Sequence, residues 1–355
     1  LTATVGAGVI TADIKKAAAR YGLFYPPDPA SFAYTTIGGN IATDSGGLQC
    51  VKYGTTRSYV AGLEVVLANG EIIHTGNKCI KDVAGYNLTQ LFAGSEGTLG
   101  IITEAILKLV PVPEGKKAMM AIFSDLESAG RAVSKIMVAG VVPSTMELLE
   151  NTIIRCVEDV IHQNLPVDAA ALLLIEVDGD AATLDGKIEK ISAVCKELGV
   201  SELRFANTAE EINQIWEGRR NCMLAVSRFG KRISGDPAAP INRLPEELLK
   251  LRELGEKYNV KTACYGHAGD GNLHPLFFYT NDEEFERATK VKDDFYDFML
   301  TLGGTVTAEH GIGNEKIKYM KKQFGPVMYG IMKGIKKVLD PKNILSPGCL
   351  FGEDL

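Results

Sequence analysis

Three of the five histidines fall in two short glycine-rich segments late in the chain. The first reads Gly266-His267-Ala268-Gly269-Asp270-Gly271-Asn272-Leu273-His274-Pro275, the second Thr307-Ala308-Glu309-His310-Gly311-Ile312-Gly313. Imidazole and carboxylate are the donors that divalent metals take, and two histidines with one carboxylate leave a coordination position open for a substrate. In the first segment apolar and aromatic residues flank a core of Gly, Asp and Asn, the pattern of a β-hairpin. A reversal at Gly269–Asn272 sets His267 opposite His274, where cross-strand Cβ atoms lie roughly 5 Å apart and two imidazoles can share one ion. Hairpin histidines beside a solvated Glu309 would be the plainer reading for a single histidine. Three in two such motifs favour a site, and the spacing leaves the metal open.

Two further segments are built for close approach of the backbone to a ligand. TTIGGNIATDSGG at 35–47 and GSEGTLGII at 94–102 are dense in glycine and hydroxyl side chains. They offer backbone N–H groups and small donors to phosphates or to a planar ring. Glycine totals 37, clustered at 38–54, 94–100, 266–271 and 303–313. Neither segment carries the GK[ST] of a P-loop, which disfavours nucleoside-triphosphate chemistry. The cluster Trp216-Glu217-Gly218-Arg219-Arg220 reads equally well as a guanidinium fork for a carboxylate or as a solvated basic helix face.

Bulk properties narrow the classes. At 355 residues the chain has room for two domains, and 46% hydrophobic with 23% charged residues is the balance of a globular protein. A net charge of −6 argues against a nucleic-acid partner. No apolar run approaches the ~20 residues of a membrane span, and LTATVGAGVITADIKK has no basic-then-apolar signal pattern. The seven cysteines are scattered with no CxxC pair, so zinc-ribbon, thioredoxin-like and iron–sulfur ligation by this chain alone is excluded. Scattered thiols suit a reducing cytoplasm.

The elements that must hold these residues follow from period and punctuation. Residues 1–20 read as strand, turn and helix, with Thr11 as N-cap and Gly22 past the end; GAGVIT at 6–11 is a tight turn. From 24 to 112, glycine-rich loops alternate with apolar runs at Leu63–Leu67, Ile72–His74, Ile101–Thr103 and Ala105–Val110. PVPEGK at 111–116 marks a boundary. Beyond it come a strand (AMMAIFSD), a helix (LESAGRAVSKIMVAG), a strand at 171–179 and a helix at 185–199. That rhythm predicts an α+β layer with helices on one face of a sheet. Amphipathic helices at 244–259 and 283–302 flank YGHAGDGNLHPLFF, and a last helix ends in the proline-stopped tail KKVLDPKNILSPGCLF.

Taken together, PPDP (26–29), TTIGGNIATDSGG (35–47), VKYGTTRSYVAGLEVVLANGE (51–71), KDVAGYNLTQLFAGSEGTLGIITEA (81–105), GHAGDGNLHP (266–275), EHGIG (309–313) and LDPKNILSPG (339–348) resemble one family. It is that of the FAD-linked oxidases of the vanillyl-alcohol-oxidase type, in the branch of the glycolate oxidase catalytic subunit, D-lactate dehydrogenase and D-2-hydroxyglutarate dehydrogenase. The segments run in the family's order over almost the whole chain. The resemblance implies an α+β fold: a vanillyl-alcohol-oxidase-type FAD-binding domain at 1–112, a cap domain with an antiparallel sheet flanked by helices at 113–315, and a return to the FAD domain at 316–355. The family's pyrophosphate loop has no counterpart here, so the FAD domain is expected without its N-terminal part and with an exposed apolar face.

The resemblance also implies roles. Pro27, Thr36, Ile37, Gly38, Gly39, Asn40, Thr43, Ser45, Gly46, Tyr53 and Gly54 would line FAD, and Gly97, Gly100 and Ile102 would meet it through backbone groups. His267, His274 and Glu309 would bind a divalent metal (Zn, Fe or Mn), His310 would be the base, and Asn272 and Arg219 would touch substrate. Ser346 stands where the family usually has asparagine. The implied reaction is oxidation of a small D-2-hydroxy acid, lactate- or glycolate-like, to the 2-oxo acid, with hydride going to the flavin. Implied partners are an electron-transferring flavoprotein or an iron–sulfur subunit as electron acceptor, within a homo- or hetero-oligomer. The alternatives are a non-catalytic FAD-binding subunit of a larger oxidase complex and a metal hydrolase. The intact His/Glu set weighs against the first, the two flavin-type segments against the second.

Overall fold

The computed structural model describes residues 1–352 and 355. Its chain divides into two compact units, Leu1–Val112 with Thr307–Leu355, and Pro113–Val306. The second break falls at Val306/Thr307 rather than at 315/316, so Glu309 and His310 belong to the first unit.

The first unit opens with β1 (Thr2–Gly6), α1 (Thr11–Ala19), β2 (Leu23–Phe24), α2 (Ile37–Thr43) and α3 (Cys50–Tyr53). It continues with β3 (Val60–Val66), β4 (Ile72–Gly76), α4 (Leu88–Phe92), β5 (Ile101–Lys108) and β6 (Val110–Pro111). Four strands form an antiparallel sheet in the order β1-β5-β3-β4. Period-2 alternation sets Leu63, Val65, Ala105 and Leu107 inward against Ile37, Ile41 and Phe92. The two runs expected at 101–110 are one strand, because Glu104 lies on the exposed face, where it pairs with Gly6 and Glu64. Thr11 is not the N-cap of α1; Ile10 holds that position. The Thr11 hydroxyl is fully buried and accepts a hydrogen bond from Asn40 Nδ2 at 2.7 Å, which removes it from capping.

The second unit contains β7 (Gly115–Phe123), α5 (Leu126–Val138), β8 (Thr145–Glu150), α6 (Asn151–Ile161), β9 (Ala171–Gly179) and α7 (Leu184–Glu197). There follow β10 (Glu202–Ala206), α8 (Ala209–Arg220), α9 (Cys222–Val226), β11 (Lys231–Ser234), α10 (Leu244–Tyr258), β12 (Thr262–His267), β13 (Asn272–Tyr279) and α11 (Asp282–Thr301). Its seven-stranded sheet is antiparallel throughout, in the order β10-β7-β9-β8-β12-β13-β11. Helices cover both faces of this sheet, not one. Residues of α6, α8 and α9, among them Ile153, Val157, Ile212, Trp216 and Val226, pack on Met120, Ile122, Leu149 and Leu174. On the other side α5 and α7 lie against β7 and β9, and α10 against α5 and β12. The reason is legible in β9, where every residue from Ala171 to Asp178 is buried. A strand apolar on both faces needs cover on both.

The chain returns to the first unit with α12 (Ile317–Leu339), kinked at Gly325–Pro326. Exposed apolar side chains of that unit gather at Ile80, Val83 and Tyr86 and along α12 at Val327, Ile331 and Val338. Among the described residues no helix is long and apolar enough to cross a membrane.

Candidate active site

In the second unit β12 and β13 form the expected hairpin, with a different register. His267 pairs with Asn272, and Tyr265 with His274. The two histidines are therefore diagonal neighbours, not directly opposed. The shift comes from the turn: Ala268–Asp270 make a single 3-10 turn and Gly271 closes it at φ 83°, where any Cβ would lie 2.0 Å from the Ala239 carbonyl. Slipping the partner by two residues keeps every side chain on its own face. The imidazoles of His267 and His274 accordingly still meet, edge to face with centroids 5.1 Å apart.

Two acids absent from the sequence reading complete this side. Glu147 on β8 is fully buried; its Oε1 accepts from His267 Nδ1 at 2.5 Å and its other oxygen takes Arg219 Nε. Burial would raise this carboxyl, but the charges and hydrogen bonds of His267 and Arg219 outweigh it and hold it at about 2. Arg219, in the last turn of α8, stacks its guanidinium over Tyr265 with Cζ 4.7 Å from the ring centre. Burial pushes the Tyr265 hydroxyl up to about 12. Asp236, also fully buried, accepts from Asn272 Nδ2 at 3.1 Å; that amide donates to the Pro237 carbonyl as well, at 2.8 Å. Donor atoms of Asp236 and His274 lie within 4.8 Å of each other. Sequence reasoning had one available signal for Asp236, its place between Gly235 and Pro237.

In the first unit the segment carrying Glu309 and His310 is held by another acid that sequence reading passed over. Glu96, at a left-handed φ of 53°, takes the backbone N–H groups of Ile312 and Gly313, each at 2.7 Å. Glu309 lies against Gly46, where a Cβ would sit 2.5 Å from Oε2, so any larger residue there would displace the Glu309 carboxylate. His310 Nε2 is 3.6 Å from Glu309 Oε1, with the His310 side chain about half exposed and Glu309 mostly buried.

The two glycine-rich segments meet. Gly38, Gly39, Gly97, Gly100 and Ile102 line one cavity of about 380 Å³, together with Ile344, Leu345 and Ser346. Lys336 organises its wall. Buried on α12, its Nζ donates to the carbonyls of Thr98 (2.9 Å) and Leu345 (2.8 Å) and pairs with Asp340. The remaining residues of these segments have internal roles. Residues 37–43 are helical rather than a loop: Thr36 caps α2 through Gly39 N–H, and Ile37 is wholly in the core. Asn40 ties α2 to Thr11 and Thr35. Thr43 and Ser45 share a hydrogen bond of 2.8 Å. Pro27 is buried, Tyr53 packs its ring on Phe24, and Gly54 adopts φ 80° beside Ser58.

Residues 112–350 match the family described as FAD linked oxidases, C-terminal domain, and residues 1–76 match an FAD binding domain. The chain belongs to the FAD-linked oxidase family. It is 45% identical over 357 residues to glycolate oxidase subunit GlcD of Bacillus subtilis (strain 168), covering 100% of this chain and 76% of that protein. It is 37% identical to the protein of the same name from Escherichia coli (strain K12), covering 98% and 70%. With D-lactate dehydrogenase of Anaerostipes hadrus it shares 35% identity, covering 97% and 74%. The fold is shared with p-cresol methylhydroxylase, at a TM-score of 0.72 and 18% identity over 98% of this chain and 75% of that one. Alkyldihydroxyacetonephosphate synthase gives 0.69 at 18% identity, over 98% and 63%. The chain is an FAD-linked oxidoreductase, the type that the family resemblance of its motifs implied.

Proposed function

We propose that this oxidoreductase converts a small D-2-hydroxy acid of lactate or glycolate size to the 2-oxo acid. The observation that carries the reading is the chemistry gathered on one sheet face of the second unit. Arg219 has its Nε committed to Glu147, and among the described residues no hydrogen bond occupies its terminal nitrogens. It shares that face with the imidazoles of His267 and His274. A guanidinium binds a carboxylate through two parallel N–H groups, and imidazoles with carboxylates bind a divalent ion. A 2-hydroxy acid offers a partner to both.

In this reading His267, His274 and Glu309 are the metal ligands, with Asp236 as a further carboxylate donor. The donor set suits zinc, iron or manganese. Such an ion, when bound, supplies an electrophile that acidifies the substrate hydroxyl. Gly38, Gly97 and Ile102 line the cavity that would hold FAD, and the flavin would supply the hydride-accepting chemistry. Arg219 anchors the substrate carboxylate and Asn272 a substrate oxygen. His310 takes the hydroxyl proton as general base, since imidazole is the side chain best matched to neutral pH. Two relatives are named as subunits, which supports electron transfer onward to a partner protein, an electron-transferring flavoprotein or an iron–sulfur subunit.

The test is anaerobic flavin bleaching by D-lactate, L-lactate, glycolate and D-2-hydroxyglutarate, before and after chelation. Bleaching by a D-2-hydroxy acid, slowed by chelator and restored by zinc or manganese, is expected. Flavin that no 2-hydroxy acid reduces refutes the reading.

A further inference from the structure

Glu147 stands at the meeting point of two functional groups that the motifs treat separately. It lies on β8, the neighbour of β12, with Leu149 opposite Tyr265 and Leu148 opposite Gly266. Continuing that register brings Glu147 opposite His267. Arg219 reaches the same carboxylate from the last turn of α8. The carboxylate is divided, one oxygen to His267 Nδ1 and the other to Arg219 Nε. Its side chain is fully buried, out of contact with bulk solvent.

Two consequences follow from elementary hydrogen-bond chemistry. A carboxylate is an acceptor only, so Nδ1 of His267 must carry the proton. Nε2 is then the nitrogen whose lone pair can bind a metal, and the ring plane is fixed by the Nδ1 bond. For Arg219, committing Nε to Glu147 sets the orientation of the planar guanidinium and leaves its two terminal nitrogens as the pair that a carboxylate can bridge. Tyr265 beneath the guanidinium holds the same plane.

We propose that Glu147 is a positioning residue that fixes the His267 tautomer and the Arg219 guanidinium through one carboxylate. It thereby sets the spacing between His267 Nε2 and the terminal nitrogens of Arg219, and with it the preference for 2-hydroxy over 3-hydroxy acids. The inference rests on the metal and substrate reading above.

The test uses the full-length holoenzyme and Glu147→Gln, which keeps the shape but removes the charge and one of the two acceptor oxygens. Metal affinity is read by calorimetric titration of chelated protein with zinc, and KM and kcat are read with D-lactate and 3-hydroxybutyrate. Loss of a carboxylate partner behind a ligating histidine weakens metal binding by roughly 10–100-fold, and that loss is expected here. A rise in the D-lactate KM larger than the fall in kcat at saturating zinc, and a narrower gap between the two acids, are expected with it. In the zinc-loaded wild type, imidazole ¹⁵N shifts should show His267 protonated at Nδ1 and metal-bound at Nε2, a readout that does not require the variant to fold. Wild-type protein that binds none of zinc, iron and manganese overturns the metal reading and this inference together. Wild-type binding with an unchanged variant affinity and KM, or with Nδ1 as the metal-bound nitrogen, overturns this inference alone.

Discussion

Glu247 is the least comfortable side chain in the second unit. It sits in the first turn of α10, 1% exposed, and among the described residues neither carboxyl oxygen has a hydrogen-bond partner. Burial alone pushes its carboxyl well above the ordinary value of 4.5. The folded protein therefore holds it neutral at pH values where the unfolded chain has released the proton. Below pH 4.5 both states keep the proton and the group is neutral to pH. As pH rises from there toward the folded pKa, the folded state binds the extra proton, and stability falls by about 1.4 kcal/mol per pH unit. Glu247→Met keeps the length of the side chain and removes the unsatisfied polar group, a burial that costs roughly 1–3 kcal/mol. For a unit of this size each kcal/mol moves the melting temperature by about 2–4 °C. The variant is expected to melt higher than wild type at neutral pH, with a gap that widens from pH 5 upward. Melting curves by circular dichroism across pH 5–8 measure it. A variant that melts lower than wild type, or two proteins with parallel pH profiles, would refute the reasoning.

Two further outcomes are expected. His310→Ala should slow flavin reduction by about 10²–10⁴-fold while FAD and metal stay bound, as loss of a general base does; stopped-flow reduction at saturating substrate reads it, and a near-normal rate moves the base elsewhere. Lys336→Met should leave Asp340 as a buried unpaired charge and release the Thr98 and Leu345 carbonyls. Breaking a buried pair costs about 3–5 kcal/mol, so the melting temperature of the first unit and its retention of FAD on gel filtration should both fall.

What the sequence made legible was local. The His267–His274 hairpin and the strand at 171–179 are each written in consecutive residues, and each forms where its pattern placed it. The hairpin register was off by two because the turn's 3-10 geometry and its contact with Ala239 lie outside the hairpin's own pattern. The cover on both sheet faces was missed for a related reason. Helix order along the chain does not say on which side of the sheet each helix lies; the unbroken burial of β9 shows only that both faces are covered.

The residues that hold the site were hidden by distance rather than by ambiguity. Glu147 is 120 residues from His267 and 72 from Arg219, and Glu96 is 216 residues from Ile312. None of these acids belongs to a motif with its partner. A trace of Glu147 does exist in its own strand. Thr145–Glu150 carries two acids three positions apart, so they point to opposite faces, and both are buried. A strand with one wet face would place its acids at even spacing. Acids on both faces of an interior strand must each find a donor, and that obligation joins Glu147 to His267 and Arg219.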